Sequence, residues 1–133
     1  MPDQNPQGNE LTPLPLRVLL VEDDPLTLEF VSRLLADVGA AVTEADSLLA
    51  ATECLGREPF DLLVTDFVLR DGTGVEVARA AWGRVGRMVL VSGELGNVPL
   101  GEAREAGLEV FIPKFELTGE RVSSLLRELF PAP

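Results

Sequence analysis

The sequence predicts an α/β domain in which five parallel strands form one open sheet with helices wound on both of its faces. Three observations carry that expectation. The apolar residues at 16–21, 62–64 and 88–91 run together rather than alternate with polar ones, the pattern of strands buried on both faces. Stretches with helical apolar spacing separate these runs, so strand and helix alternate along the chain, as parallel crossover connections require. The first two of these runs also lead into acid, at Glu22, Asp23 and Asp24 and at Asp66, and an open α/β sheet gathers its ligand site beyond the carboxyl ends of its strands.

Residues 1–15 hold Pro2, Pro6, Pro13 and Pro15 among Asn, Gln, Gly and acidic residues. They offer too little apolar surface to pack and are expected to form a disordered arm. The domain is expected over 16–130, with 131–133 as a C-terminal tail. Its first strand, 16–21, leads into a helix that Asp24 caps and Pro25 opens, because a proline at the first helical position gives up no needed donor. Val31, Leu34, Leu35 and Val38 form that helix's apolar face, Gly39 stops it, and 40–45 is the second strand. Asp46 or Ser47 caps the second helix, with Leu48, Ala51 and Leu55 on one side, ending near Gly56.

The third strand opens the stretch FDLLVTDFVLRDGTG at 60–74, in which 70–74 reads as a loop. A short third helix over 75–82 aligns Val75, Ala78 and Trp82 as a packed face, Gly83 and Gly86 bracket a turn, and 87–91 is the fourth strand, ending at Ser92 and Gly93. Residues 94–100 read as loop and 101–106 as at most a brief helix. The fifth strand, 108–113, ends in Pro113, which cannot donate to a ladder and so belongs at a sheet edge or at the strand's end. The last helix opens at Thr118 or Gly119 and carries a stripe of Val122, Leu125, Leu126, Leu129 and Phe130.

Composition narrows the function. The chain has 133 residues, one domain's length, and a formal charge of −11 from 22 acids and 11 bases, which disfavours nucleic-acid binding. With no histidine, His-based catalysis, His metal ligands and a phosphohistidine on this chain are excluded. The single cysteine, Cys54, has no intrachain disulfide partner and reads as a packing residue in a reducing compartment. No apolar run approaches a membrane span, and a cytoplasmic location is expected. Several carboxylates in one pocket repel one another unless a cation neutralises them, and an oxygen-only donor set suits a hard ion such as Mg²⁺.

The ends of strands one, three, four and five present Glu22 with Asp23, then Asp66, Ser92 and Lys114. That constellation, in that order across 16–130 and with D-F-V-L-x-D-G-T-G around Asp66, resembles the receiver domain of two-component response regulators, which has a flavodoxin-like sheet of order 2-1-3-4-5. The resemblance implies that Asp66 is the phosphoacceptor, a carboxylate nucleophile forming an acyl phosphate. It implies that Asp23 binds Mg²⁺ directly and Glu22 through water, with Asp66 and the backbone carbonyl of Val68 completing the protein's ligands. Lys114 would pair with Asp66 at rest and with a phosphate oxygen afterwards. Ser92 would be the switch hydroxyl, and Phe111 the aromatic that turns inward with it. The partners implied are a sensor histidine kinase or phosphotransfer protein and a downstream protein read through the fourth helix, fifth strand and last helix. Contact with nucleic acid or membrane is not implied, and a homodimer is compatible with the reading.

Arg70 stands where the family usually has proline, which predicts a less rigid loop after Asp66. The 66–92 interval is short for the family, which shortens the third helix. Two other classes compete with the switch. A phosphate-independent binding module would be favoured by loss of acidic positions, and none is lost. A haloacid-dehalogenase-type phosphatase resembles D-x-D at its nucleophile, whereas Val68 stands two residues after Asp66 and supplies no general acid. The ending FPAP reads as linker-like, so a receiver cut from a multidomain regulator is the alternative to a stand-alone switch that signals through protein partners.

Overall fold

The computed structural model describes residues 15–132; the arm expected over 1–15 therefore lies, Pro15 apart, outside the described residues, as does Pro133. Along the chain, β1 (Arg17–Val21) leads to α1 (Pro25–Asp37), and β2 (Ala41–Ala45) to α2 (Leu48–Arg57). β3 (Phe60–Thr65) leads to a small hairpin of β4 (Val68–Leu69) and β5 (Gly72–Thr73), then to α3 (Gly74–Ala81). β6 (Val85–Ser92) continues through a 3-10 turn (Leu95–Asn97) to α4 (Leu100–Glu105), and β7 (Val110–Pro113) through a second such turn (Lys114–Glu116) to α5 (Gly119–Leu129). The long strands pair in parallel in the order β2-β1-β3-β6-β7. Counted over the strands of that sheet, this is the expected order 2-1-3-4-5.

Successive strand side chains point to opposite faces, so each continuous apolar run feeds two cores. Leu19, Val21, Leu63, Met88 and Leu90 pack on the side of α2, α3 and α4, against residues such as Ala51, Leu55, Val77, Ala78 and Ala103. Val18, Leu20, Leu62, Val64, Val89 and Ile112 pack on the other, against Val31 and Leu35 of α1 and Val122, Leu125 and Leu129 of α5. Arg87 ties the far side of the sheet together, binding Glu109 through two nitrogens at 2.9 and 2.7 Å and the Leu129 carbonyl at 2.9 Å.

Helix starts follow the expected chemistry. Asp24 accepts the Thr27 N–H at 2.9 Å with Pro25 opening α1, Ser47 accepts the Ala50 N–H at 3.0 Å, and Thr118 accepts the Arg121 N–H at 3.1 Å. Thr73 and Glu76 form a capping box at the start of α3. At the other end of α1, Gly39 takes a φ of +94°, the left-handed turn that stops the helix.

Three sequence expectations are corrected. The fourth strand of the sheet starts at Val85 rather than Arg87: Val85 pairs with Phe60, and Gly86 is a strand residue, where an added Cβ would sit 3.0 Å from the Asp61 carbonyl. The fifth begins at Val110 rather than Leu108, and Pro113 occupies both the edge strand and its last position. Trp82 is not a core residue but 67% exposed, because α3 ends at Ala81 before the helix can carry the indole inward. Cys54 is buried as expected, and among the described residues no helix is long and apolar enough to cross a membrane.

Leu63, fully buried, and Trp82, exposed, separate core from surface in a simple test. Leu63→Ala is expected to cost about 3 kcal/mol in denaturant unfolding, and Trp82→Ala less than about 1 kcal/mol; similar losses would contradict the placement of Trp82.

Candidate functional site

The strands β1, β3, β6 and β7 run parallel, so their carboxyl ends share one edge of the sheet and the residues just beyond them converge. Glu22 follows β1 and is 4% exposed; Asp66 follows β3 and is 9% exposed. One carboxylate oxygen from each of Glu22, Asp23 and Asp66 lies within 4.8 Å of the others. Lys114, in the turn after β7, reaches back across the edge, its Nζ 2.7 Å from Glu22 Oε1 and 3.1 Å from Asp66 Oδ2. One ammonium thus faces three carboxylates, a cluster short of positive charge. Its all-oxygen donors fit a hard divalent cation such as Mg²⁺.

The imbalance shows in the ionisation of both partners. Burial pushes the Glu22 carboxyl above its ordinary value and the nearby charge of Asp66 adds to it, while hydrogen bonds from Lys114 and from the Asp24 N–H at 3.0 Å offset the rise only in part. For Lys114, burial alone would lower the value. The hydrogen bond to Glu22 and the charge of Asp66 outweigh that and hold the ammonium above its ordinary value.

The backbone around Asp66 is held from every side. Its N–H donates to the Val21 carbonyl at 3.0 Å, its carbonyl accepts the Thr65 hydroxyl at 2.9 Å, and its Oδ1 accepts the Phe67 N–H at 2.7 Å. Gly74 lies against the Asp66 carbonyl so closely that any side chain would overlap the oxygen, and its N–H donates to the Phe67 carbonyl at 2.7 Å. A glycine is therefore required where α3 begins.

Beside Asp66 opens a shallow cavity of about 400 Å³, lined by Asp66, Phe67, Val68, Ser92, Gly93, Glu94 and Asn97. Val68 is 64% exposed there. The Ser92 hydroxyl donates to the Glu94 carbonyl at 3.5 Å, too long to hold it strongly. Phe111 stands apart from both the acidic cluster and the cavity: it sits in β7, half-buried against the core on the α2–α4 side, with the Arg104 guanidinium of α4 5.2 Å from its ring centre.

The structure thus brings Glu22, Asp23, Asp66 and Lys114 together, places Val68 and Ser92 on the adjoining cavity, and leaves Phe111 behind α4. Asn97 and Arg104 carry no sequence signal, since each is one polar residue in an unremarked segment. Arg70, where the family usually has proline, pairs with Asp46 at 3.2 Å.

Carboxylates and a lysine meeting at the carboxyl edge of a 2-1-3-4-5 sheet, beside a serine-lined cavity, define a flavodoxin-like domain with an acid pocket. The chain belongs to the response regulator receiver domain family, whose profile matches residues 18–124. It is 43% identical over 65 residues to the response regulator receiver protein CpdR of Brucella abortus, covering 49% of this chain and 54% of that protein. The chain thus spans about half the length of that curated relative. It is 28% identical over 120 residues to the chemotaxis protein CheY of Pseudomonas aeruginosa, covering 86% of this chain and 96% of that one. Among solved structures, it matches the receiver domain of a sensor histidine kinase from Pseudomonas aeruginosa PAO1, with a TM-score of 0.77 at 18% identity, over 89% of this chain and 99% of that one. That structure has a magnesium ion coordinated in its active site cleft.

The charge balance gives opposite expectations for two substitutions. Lys114→Ala removes the counter-charge of two buried carboxylates and is expected to destabilise the metal-free protein by about 1–3 kcal/mol at neutral pH. Glu22→Gln removes a charge that burial opposes and is expected to stabilise it. Because the Glu22 value is raised, its ionisation costs stability as pH climbs past the ordinary carboxylate range, so the advantage of Glu22→Gln should grow from about pH 4 to pH 7. The Lys114 value is raised too, so its contribution persists through that range and is lost only in strong alkali. Thermal denaturation in EDTA reads all three proteins; a Glu22→Gln protein less stable than wild type at neutral pH would contradict the account.

Proposed function

We propose that this chain is a phosphorylation-controlled signalling switch in which Asp66 accepts a phosphoryl group from a histidine kinase or phosphotransfer protein. The observation that carries the reading is the Asp66 carboxylate 3.1 Å from Lys114 Nζ within a cluster of three carboxylates. Glu22, Asp23, Asp66 and the backbone carbonyl of Val68 would hold Mg²⁺, in keeping with the ion in the Pseudomonas receiver domain. When bound, the ion supplies the charge neutralisation that phosphoryl transfer chiefly requires.

The chain's own groups do the rest. The Phe67 N–H fixes one oxygen of Asp66 and so orients the carboxylate for in-line attack on phosphorus, the Asp66 O–P bond forming as the P–N bond to the donor's histidine breaks and the imidazole leaves. Lys114 then exchanges a carboxylate oxygen for a phosphoryl oxygen. Ser92, weakly held by the Glu94 carbonyl, turns to donate to the new group, and Phe111 moves with it. The altered face of α4, β7 and α5 would be read by a downstream protein; the charge of −11 argues against nucleic acid as that partner. The buried, unpaired thiol of Cys54 accords with a cytoplasmic location.

Intact-mass spectrometry after incubation with acetyl phosphate and Mg²⁺ tests the reading. One phosphoryl group is expected on the wild type, and none on Asp66→Asn or in the presence of a chelator. Failure of the wild type to gain mass, or an equal gain in Asp66→Asn, would overturn it. A second expectation concerns the lifetime of that group: the exposed, apolar Val68 at the cavity has no means of orienting water. Val68→Asn should shorten the acyl-phosphate half-life severalfold in a decay assay, and an unchanged or longer half-life would refute this role for Val68.

A further inference from the structure

The segment that reads from sequence as a slack loop is pinned at its tip. β4 and β5 pair Val68 with Thr73 and Leu69 with Gly72, turning through Arg70 and Asp71, and that turn docks on the N-terminus of α2. Asp71 uses both carboxylate oxygens, Oδ1 accepting the Leu48 N–H at 2.7 Å and Oδ2 the Leu49 N–H at 3.0 Å. Arg70 pairs with Asp46, the residue before the helix's own cap, Ser47. Gly72 completes the contact: an added Cβ would lie 2.6 Å from Leu48 Cδ2. First-turn amides have no partner within their helix, and a carboxylate there gains from hydrogen bonds and helix dipole together. The Leu49 and Leu48 amides accordingly hold the Asp71 carboxyl below its ordinary value.

The other end of the same hairpin enters the acidic site. Val68 begins β4 two residues after Asp66, and the Gly74 N–H clamps the Phe67 carbonyl between them at 2.7 Å. A hairpin this short has one ladder and no slack, so what fixes its tip also fixes the orientation of the Val68 peptide.

Resting on the function proposed above, we propose that Asp71 is a positioning residue for the metal: by docking the hairpin on α2 it holds the Val68 backbone carbonyl where it serves as a ligand. A residue that merely capped α2 would act differently, and the helix supplies the control. Ser47 caps the same helix through the Ala50 N–H. It makes no hydrogen bond to the hairpin.

Calorimetric titration of the full chain with Mg²⁺, paired with hydrogen exchange and thermal denaturation, separates the two roles. Asp71→Ala is expected to weaken Mg²⁺ binding about tenfold and to speed amide exchange across 67–74. Ser47→Ala should lose comparable thermal stability yet bind Mg²⁺ as the wild type does. Asp71→Asn, which keeps one acceptor oxygen for the α2 amides, should fall between wild type and Asp71→Ala. Wild-type affinity in Asp71→Ala, or an equal loss in Ser47→Ala, would reduce Asp71 to a helix cap and overturn the proposal alone. Absence of Mg²⁺ binding by the wild type would overturn the metal reading and this proposal with it.

Discussion

Everything at this site depends on one ammonium held between two buried carboxylates. Glu22 and Asp66, both buried, would repel each other, and Lys114 lies 2.7 and 3.1 Å from them. Such an arrangement is a poor source of stability, since the desolvation cost of buried charges is only partly returned by their attraction. Its value lies in what it leaves unbalanced. With Asp23 at the mouth, the pocket is set to gain from a divalent cation and then from a group that spreads the negative charge outward.

The parallel sheet makes the arrangement affordable. Two apolar cores, one on each face, carry the stability of the fold, and the charged residues occupy only the edge where the strands stop. Hydrogen bonds to the Asp66 backbone fix the carboxylate on the rigid side, while the partners expected to move are weakly held: a 3.5 Å hydrogen bond at Ser92 and a cation–π contact between Arg104 and Phe111. A phosphoryl group shifts such a two-state element only by its difference in contacts between the states. In the proposed switch such weak resting contacts would keep the threshold low, and the Arg104 contact would link the aromatic ring to α4.

Strand ends were legible in the sequence because they are marked twice, by an apolar run that stops and by the acid, serine or lysine that stops it. Glu22, Asp23, Asp66, Ser92 and Lys114 were all accessible that way. The hairpin was not, because strands of two residues leave no period to read, and Asp71 finds its partners in backbone amides 22 and 23 residues away. Trp82 misled for the opposite reason: its spacing matched Val75 and Ala78, but the helix ends one residue too soon. Gly86 looked like a turn residue and is instead a strand residue pressed on the Asp61 carbonyl.

The most direct test of the central claim is a structure of the chain with Mg²⁺ and beryllofluoride, a non-transferable mimic of the phosphoryl group. The account predicts that Lys114 Nζ leaves Glu22 for a fluoride, that the Ser92 hydroxyl leaves the Glu94 carbonyl for another, and that Phe111 turns away from Arg104. A bound mimic with Lys114 still paired to Glu22 and Ser92 unmoved would contradict it.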